Sequence, residues 1–145
     1  MPTSIEGDCL CRAVRYRASA QPKVNALCHC RSCRMASGAP SVAWTAFPAD
    51  AFEYTAGKPT TFESSPGVKR TFCGKCGTPL TYQKGLRAST INVTTITLDN
   101  PEHFAPTKEI WISHRVPWEA LNSALAQHPK SSVGTSNEPA DPARD

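Results

Sequence analysis

Phe72-Cys73-Gly74-Lys75-Cys76-Gly77 puts two thiols three positions apart with a glycine after each. That is the form of a zinc knuckle. Its glycines allow a turn tight enough to aim both sulfurs at one ion, with backbone N–H groups left to bond them. Two thiolates leave a tetrahedral ion two ligands short. Cys9 and Cys11 can supply them, because residues i and i+2 of an extended strand point to the same side. The four together make a closed site, which for zinc is structural. It staples an N-terminal strand to a knuckle far along the chain, and a small β domain with a modest core needs such a staple.

Three cysteines remain, Cys28, Cys30 and Cys33, spaced C-x-C-x-x-C. Three thiolates leave a tetrahedral ion one position open, the arrangement of a catalytic zinc. So many thiolates make the metal a weak Lewis acid toward hard oxygen and match it to a soft sulfur ligand. Its work would be to bind a thiol, lower its pKa and hold it as a nucleophile. Two other readings of the trio stay open. One is a closed structural site completed by His29, His103, His114 or His128; the other is a redox-active or metal-free group. In an extended C-x-C, His29 points away from the metal. An iron–sulfur cluster needs a fourth thiolate, and the other four cysteines are already used.

The rest of the composition sets bounds. The chain has 145 residues, 39% of them hydrophobic, which is enough for one domain with one modest core. A net charge of +4 suits an anionic small molecule and does not demand nucleic acid. Arg12, Arg15, Arg17, Arg31 and Arg34 cluster in sequence, yet no aromatics are interleaved for base stacking. No apolar run approaches the roughly 20 residues of a membrane span. The first residues lack the apolar core of a secretory signal. Seven cysteines cannot all pair as disulfides, which points to a reducing compartment and a cytoplasmic protein.

Short strands broken by Gly, Pro, Asn and Ser fill the body: Val14–Arg17, Ser41–Phe47, Phe52–Thr55, Thr60–Glu63, Lys69–Phe72, Leu80–Gln83, Ile91–Thr97 and Glu109–Ile112. A helical turn is expected over Arg34–Ser37, stopped by Gly38. Pro117 followed by Trp118, Leu121 and Leu125 at helical spacing predicts a second helix that ends at His128-Pro129. Trp44, Trp111 and Trp118 read as core. The expected fold is mainly β, folded over, with a short C-terminal helix. Residues 1–128 form the domain, and 129–145, rich in proline and poor in apolar residues, read as a flexible tail.

This layout resembles the glutathione-dependent formaldehyde-activating enzyme (GFA) family, with its Mss4-like fold. The resemblance rests on Gly7-Asp-Cys9-Leu-Cys11, Cys28-His-Cys30-Arg-Ser-Cys33-Arg34, Gly38, Trp44, Ser64-Ser-Pro-Gly67, the Phe72–Gly77 knuckle, Thr97-Leu-Asp99 and Ile110-Trp-Ile-Ser-His-Arg-Val-Pro-Trp118. It implies a structural zinc on Cys9, Cys11, Cys73 and Cys76. It implies a catalytic zinc on Cys28, Cys30 and Cys33 whose open position takes the glutathione sulfur, hence two zincs per chain. The implied activity is that of a carbon–sulfur lyase, an S-(hydroxymethyl)glutathione synthase joining glutathione or a related thiol to formaldehyde or another small electrophile. Glutathione's two carboxylates call for cations, and Arg34, Lys69, Arg70 and Arg115, with His114, are the candidates. Ser64–Gly67 would form a loop over the pocket. Many family members have Gly after Cys11, where this chain has Arg12, a change that affects a turn beside the structural site. The competing expectation is a non-catalytic, zinc-stapled module that binds glutathione or a protein partner.

Overall fold

The computed structural model describes residues 4–85 and 88–132. Its architecture is mainly β, as expected. A three-stranded antiparallel sheet comprises β1 (Ile5–Asp8), β2 (Arg15–Ala18) and β5 (Phe52–Ala56), in the order β1-β2-β5. Alternation along β2 buries Tyr16 and Ala18 and turns Arg15 and Arg17 outward. There Arg15 pairs with Glu6, Asp8 and Asp99, and Arg17 pairs with Glu53. Two of the clustered arginines are thus taken up by carboxylates.

The larger sheet runs through β3 (Val24–Cys28), β4 (Val42–Pro48), β6 (Thr60–Ser65), β7 (Val68–Phe72), β8 (Pro79–Lys84), β9 (Thr90–Thr94), β10 (Lys108–Ile110) and β11 (Ala126–Gln127). Its order is β11-β10-β3-β4-β9-β8-β7-β6. Pairing is antiparallel except where β10 runs parallel to β3 and to β11. An isolated bridge joins Gly7 of β1 to Leu98, just past the turn that follows β9. A Cβ on Gly7 would lie 2.4 Å from both the Thr97 carbonyl and the Tyr16 hydroxyl, so only glycine permits this approach. The core divides in two. One cluster gathers Tyr16, Phe47, Leu80 and Val93 around Cys9 and Cys73. The other gathers Trp44, Val68, Tyr82 and Ile110 around Cys28, Cys30 and Cys33. Each cysteine group therefore sits in its own packed cluster.

The expected strands appear with ends shifted by a residue or two. Residues 95–97, expected in strand, form a 3-10 turn instead: Thr97 Oγ1 donates to the Thr94 carbonyl at 2.8 Å and shares a 2.7 Å bond with the Tyr16 hydroxyl. The expected turn after Cys33 is the C-terminal part of α1 (Arg31–Ser37), capped by Gly38 at φ +72°. Gly38 N donates to the Arg34 carbonyl there. Among the described residues α1 is the single α-helix, and it is too short to cross a membrane.

The second expected helix is corrected. Residues 117–125 form turns, and Ala126–Gln127 join the edge of β10. Two local competitors defeat the helical spacing. The Asn122 side chain accepts from Ala124 N at 3.0 Å, a turn-forming bond, and the buried Glu109 carboxylate captures Asn122 N at 2.7 Å. Trp118, expected in the core, is 75% exposed as a result. Pro129 and Lys130, at the start of the expected tail, accept hydrogen bonds from Ser113 N and Trp111 N. Residues 133–145 lie outside the described residues.

Candidate metal centre

The sulfurs of Cys9, Cys11, Cys73 and Cys76 all lie within 4.8 Å of one another. Cys9 and Cys11 reach this point by a turn, not by the extended strand expected of them. The turn closes the β1–β2 hairpin: Arg12 N donates to the Cys9 carbonyl at 3.0 Å and Cys9 N to the Val14 carbonyl at 3.1 Å. Reversing the chain within so few residues forces Arg12 to φ +67°, the left-handed region where glycine sits without strain. Facing it, Gly77 (φ +81°) closes the knuckle, and Lys75 N and Cys76 N both donate to Cys73 Sγ, at 3.4 and 3.5 Å. Thr78, which sequence reading passed over, ties the halves together. It accepts from Leu10 N at 3.1 Å, and its hydroxyl lies 3.1 Å from Cys76 Sγ.

These contacts divide the acidity of the thiols. The Thr78 hydroxyl and backbone N–H groups pull the Cys76 thiol down to about 5. Bonds from the N–H groups of Cys76 and Lys75 lower Cys73 as well. The Ala13 N–H favours a Cys11 thiolate, yet desolvation and the protons shared with its three neighbours push that thiol up to about 11. Four thiolates about 2.3 Å from one zinc stand about 3.8 Å apart. The Cys11 sulfur is 3.7 Å from Cys9 and 3.7 Å from Cys73. The donor set and spacing therefore fit zinc.

Cys28, Cys30 and Cys33 form the second cluster, again with all sulfurs within 4.8 Å and all three side chains buried. The local chain explains the convergence. Cys28 ends β3, Cys30 is the N-cap of α1, and Cys33 sits in its first turn, with Cys33 N donating to Cys30 Sγ at 3.3 Å. Burial raises the Cys28 thiol well above its usual value. Burial opposes ionisation of Cys33 too, but donation from Cys28 and Cys30 and the nearby Arg70 charge take it well below. Among the described residues no histidine or carboxylate joins this trio at ligand distance. His29 is engaged elsewhere: its Nε2 donates to Glu109 Oε1 at 2.7 Å, and both side chains are buried. Glu109 Oε2 accepts from Asn122 N and from Gln127 Nε2 at 2.9 Å. Burial resists the charge on Glu109, but these donors hold its carboxyl below the usual range. The dyad thus braces the turn between Cys28 and Cys30, and sequence reading did not find it.

A cavity of about 520 Å³ opens between α1 and the β4–β6 side of the large sheet. Of the trio, Cys33 borders it. Its walls are largely apolar, with Val42, Trp44, Phe72 and Pro79 inside and Met35 and Phe62 more than half exposed at the rim. The candidate cations separate here. Arg70 alone lines the cavity, 7% exposed, with its guanidinium 3.8 Å from Cys33 Sγ and 4.8 Å from the Tyr82 ring centre. Lys69, the next residue of β7, is exposed on the opposite face. Arg34 is a brace: it donates from Nε to the His29 carbonyl and from Nη2 to the His114 carbonyl, both at 3.1 Å. Arg115 is exposed and does not line the cavity. Ser64 borders the cavity from the end of β6, and Pro66–Gly67 make the turn beyond it.

Comparison with known proteins agrees with this geometry. The family model described as glutathione-dependent formaldehyde-activating enzyme matches residues 4–114. An uncharacterised lyase of Schizosaccharomyces pombe is 34% identical over 79 residues, covering 53% of this chain and 56% of that protein. The chain thus spans little more than half the length of that relative. A crystal structure of a Rhodobacter sphaeroides protein superposes with a TM-score of 0.54 at 20% identity, covering 70% of this chain and 97% of the other. That likeness is one of fold.

Proposed function

The chain belongs to the glutathione-dependent formaldehyde-activating enzyme family, and from that premise we propose that it is a lyase-type enzyme that activates glutathione or a related thiol for addition to formaldehyde or another small electrophile. The observation that carries this reading is a buried trio of thiols with no fourth ligand-type side chain among the described residues, set against a cavity wall. The lyase name of the Schizosaccharomyces pombe relative also supports it.

In this reading zinc on Cys9, Cys11, Cys73 and Cys76 is structural, and zinc on Cys28, Cys30 and Cys33 is catalytic. Held by Cys28, Cys30 and Cys33, zinc would supply one chemistry, the acidification of a thiol. The substrate thiol gives its proton to solvent and its sulfur bonds to the carbonyl carbon. The C=O π pair moves to oxygen, which takes up a proton to give the hydroxymethyl thioether. The chain's own residues do the rest. Arg70 offsets the negative charge of the thiolates beside it. The His29–Glu109 dyad and the Arg34 brace fix the turn that carries the trio. The largely apolar walls cover the arm of the thiol, and holding both reactants in one cavity converts an encounter into an intramolecular step.

A glutathione titration tests this by calorimetry on zinc-reloaded protein of known metal content. The expected result is saturable binding of glutathione that S-methylglutathione lacks, followed by turnover with formaldehyde. No sulfur-dependent binding with both zinc sites filled would overturn the reading and favour a binding module.

A further inference from the structure

The cavity beside the trio does not match glutathione in charge. Glutathione brings two carboxylates and an ammonium. Among the described residues the lining offers one cation, Arg70, and no Asp or Glu. Lys69, Arg34 and Arg115 are all turned or tied away from it. Most of the lining surface is apolar, with Val42 and Trp44 buried and Met35 and Phe62 exposed.

Arg70 is itself unusual. It is a buried guanidinium with no carboxylate within ion-pair distance among the described residues, held by a sulfur and an aromatic face. Within the chain its counter-charge is the Cys33 thiolate, which takes two of the guanidinium's five N–H donors at 3.8–3.9 Å and leaves the others for a planar anion.

Resting on the thiol-activating reading above, we propose that the cavity takes a small thiol with a single carboxylate and an apolar arm, the carboxylate on Arg70 and the arm along Trp44 and Phe62. Position supports the connectivity. Arg70 lies 3.8 Å from Cys33 Sγ, so a carboxylate paired with it stands only a few bonds from a sulfur delivered to the trio. That suits a mercaptocarboxylic acid. In glutathione a peptide unit separates the thiol-bearing residue from each carboxylate-bearing end. A volume of about 520 Å³ is ample for such a molecule.

The test is calorimetry on the full-length, zinc-reloaded chain with 2-mercapto-3-phenylpropanoate, its methyl ester, its S-methyl form and glutathione. The acid is expected to bind roughly tenfold or more tightly than glutathione and than its own ester, the scale of one charge-assisted hydrogen bond. The S-methyl form should not bind. Arg70→Gln, with zinc content verified, should erase the difference between acid and ester, and Phe62→Ala should weaken both by several-fold. Equal binding of acid and ester by the wild-type chain would overturn the proposal, as would glutathione binding as tightly as the acid. In either case sulfur-dependent binding of glutathione would leave the thiol-activating function standing. Failure of every thiol to bind at full zinc occupancy would remove both.

Discussion

Replacing Glu109 by alanine should cost about 2–4 kcal/mol of stability, and the figure follows from its partners. Its carboxylate is buried and accepts from His29 Nε2, Asn122 N and Gln127 Nε2. Removal leaves the fully buried His29 N–H without an acceptor, at about 1–3 kcal/mol. The lost side chain leaves a void worth roughly another 1 kcal/mol. Gln127 loses less, because the same nitrogen also reaches the carbonyls of Asn122 and Leu125. The sum, about 2–4 kcal/mol, overlaps the roughly 3–5 kcal/mol seen when one partner of a buried pair is removed. Glu109→Gln keeps one acceptor oxygen and should cost about half as much. The assay is urea unfolding of zinc-loaded protein, read as a lower midpoint at unchanged slope. The effect also has a pH signature. Folding holds this carboxyl below its unfolded value of about 4.3, so its contribution is complete above that pH and is lost as pH falls through the folded value. The gap between wild type and Glu109→Ala should therefore be full at pH 6–7 and narrow in acid. A loss under about 1 kcal/mol, or a gap that widens in acid, would refute the dyad as a brace for the trio.

The two metal clusters should respond differently to loss of a ligand. A structural zinc contributes on the order of 10 kcal/mol, comparable with the whole stability of a domain. Cys73→Ser should therefore abolish folding, seen as loss of the β-type circular dichroism spectrum; a folded variant with full metal content would refute the structural assignment. Cys30→Ser should keep the spectrum and lose one metal equivalent together with thiol binding. Arg12→Gly should stabilise the chain by up to about 1 kcal/mol, since relief of the left-handed strain, roughly 1–2 kcal/mol, exceeds the entropic cost of glycine, roughly 0.5–1 kcal/mol. A lower unfolding midpoint for that variant would show that the turn carries no such strain.

Some features were legible because they are short-range. The Cys73–Gly77 knuckle is a local turn whose bonds to sulfur come from the next few residues. The strands follow alternation, as in β2, where the buried residues are every second one. The helix expected over Pro117–His128 failed because spacing records only what a segment could bury. It does not record that Glu109, on a neighbouring strand, bids for the same backbone. Cys9 and Cys11 do converge on Cys73 and Cys76, but through a hairpin turn and not the extended strand that the spacing suggests.

The sequence alone determined the two cysteine groups, the mainly β architecture and the kinship those spacings carry, because all three are fixed by residue type and short intervals along the chain. Tertiary structure alone decided which cation reaches the trio. Arg70, Lys69, Arg34 and Arg115 are equivalent as letters. Strand parity turns Arg70 inward and Lys69 outward, while two carbonyls claim Arg34. The Glu109–His29 pair joins residues 80 positions apart, and only the parallel pairing of β10 with β3 brings them together. A group's chemistry belongs to its residue; its partners belong to the fold, because the desolvation and charge that tune it come from chain segments distant in sequence.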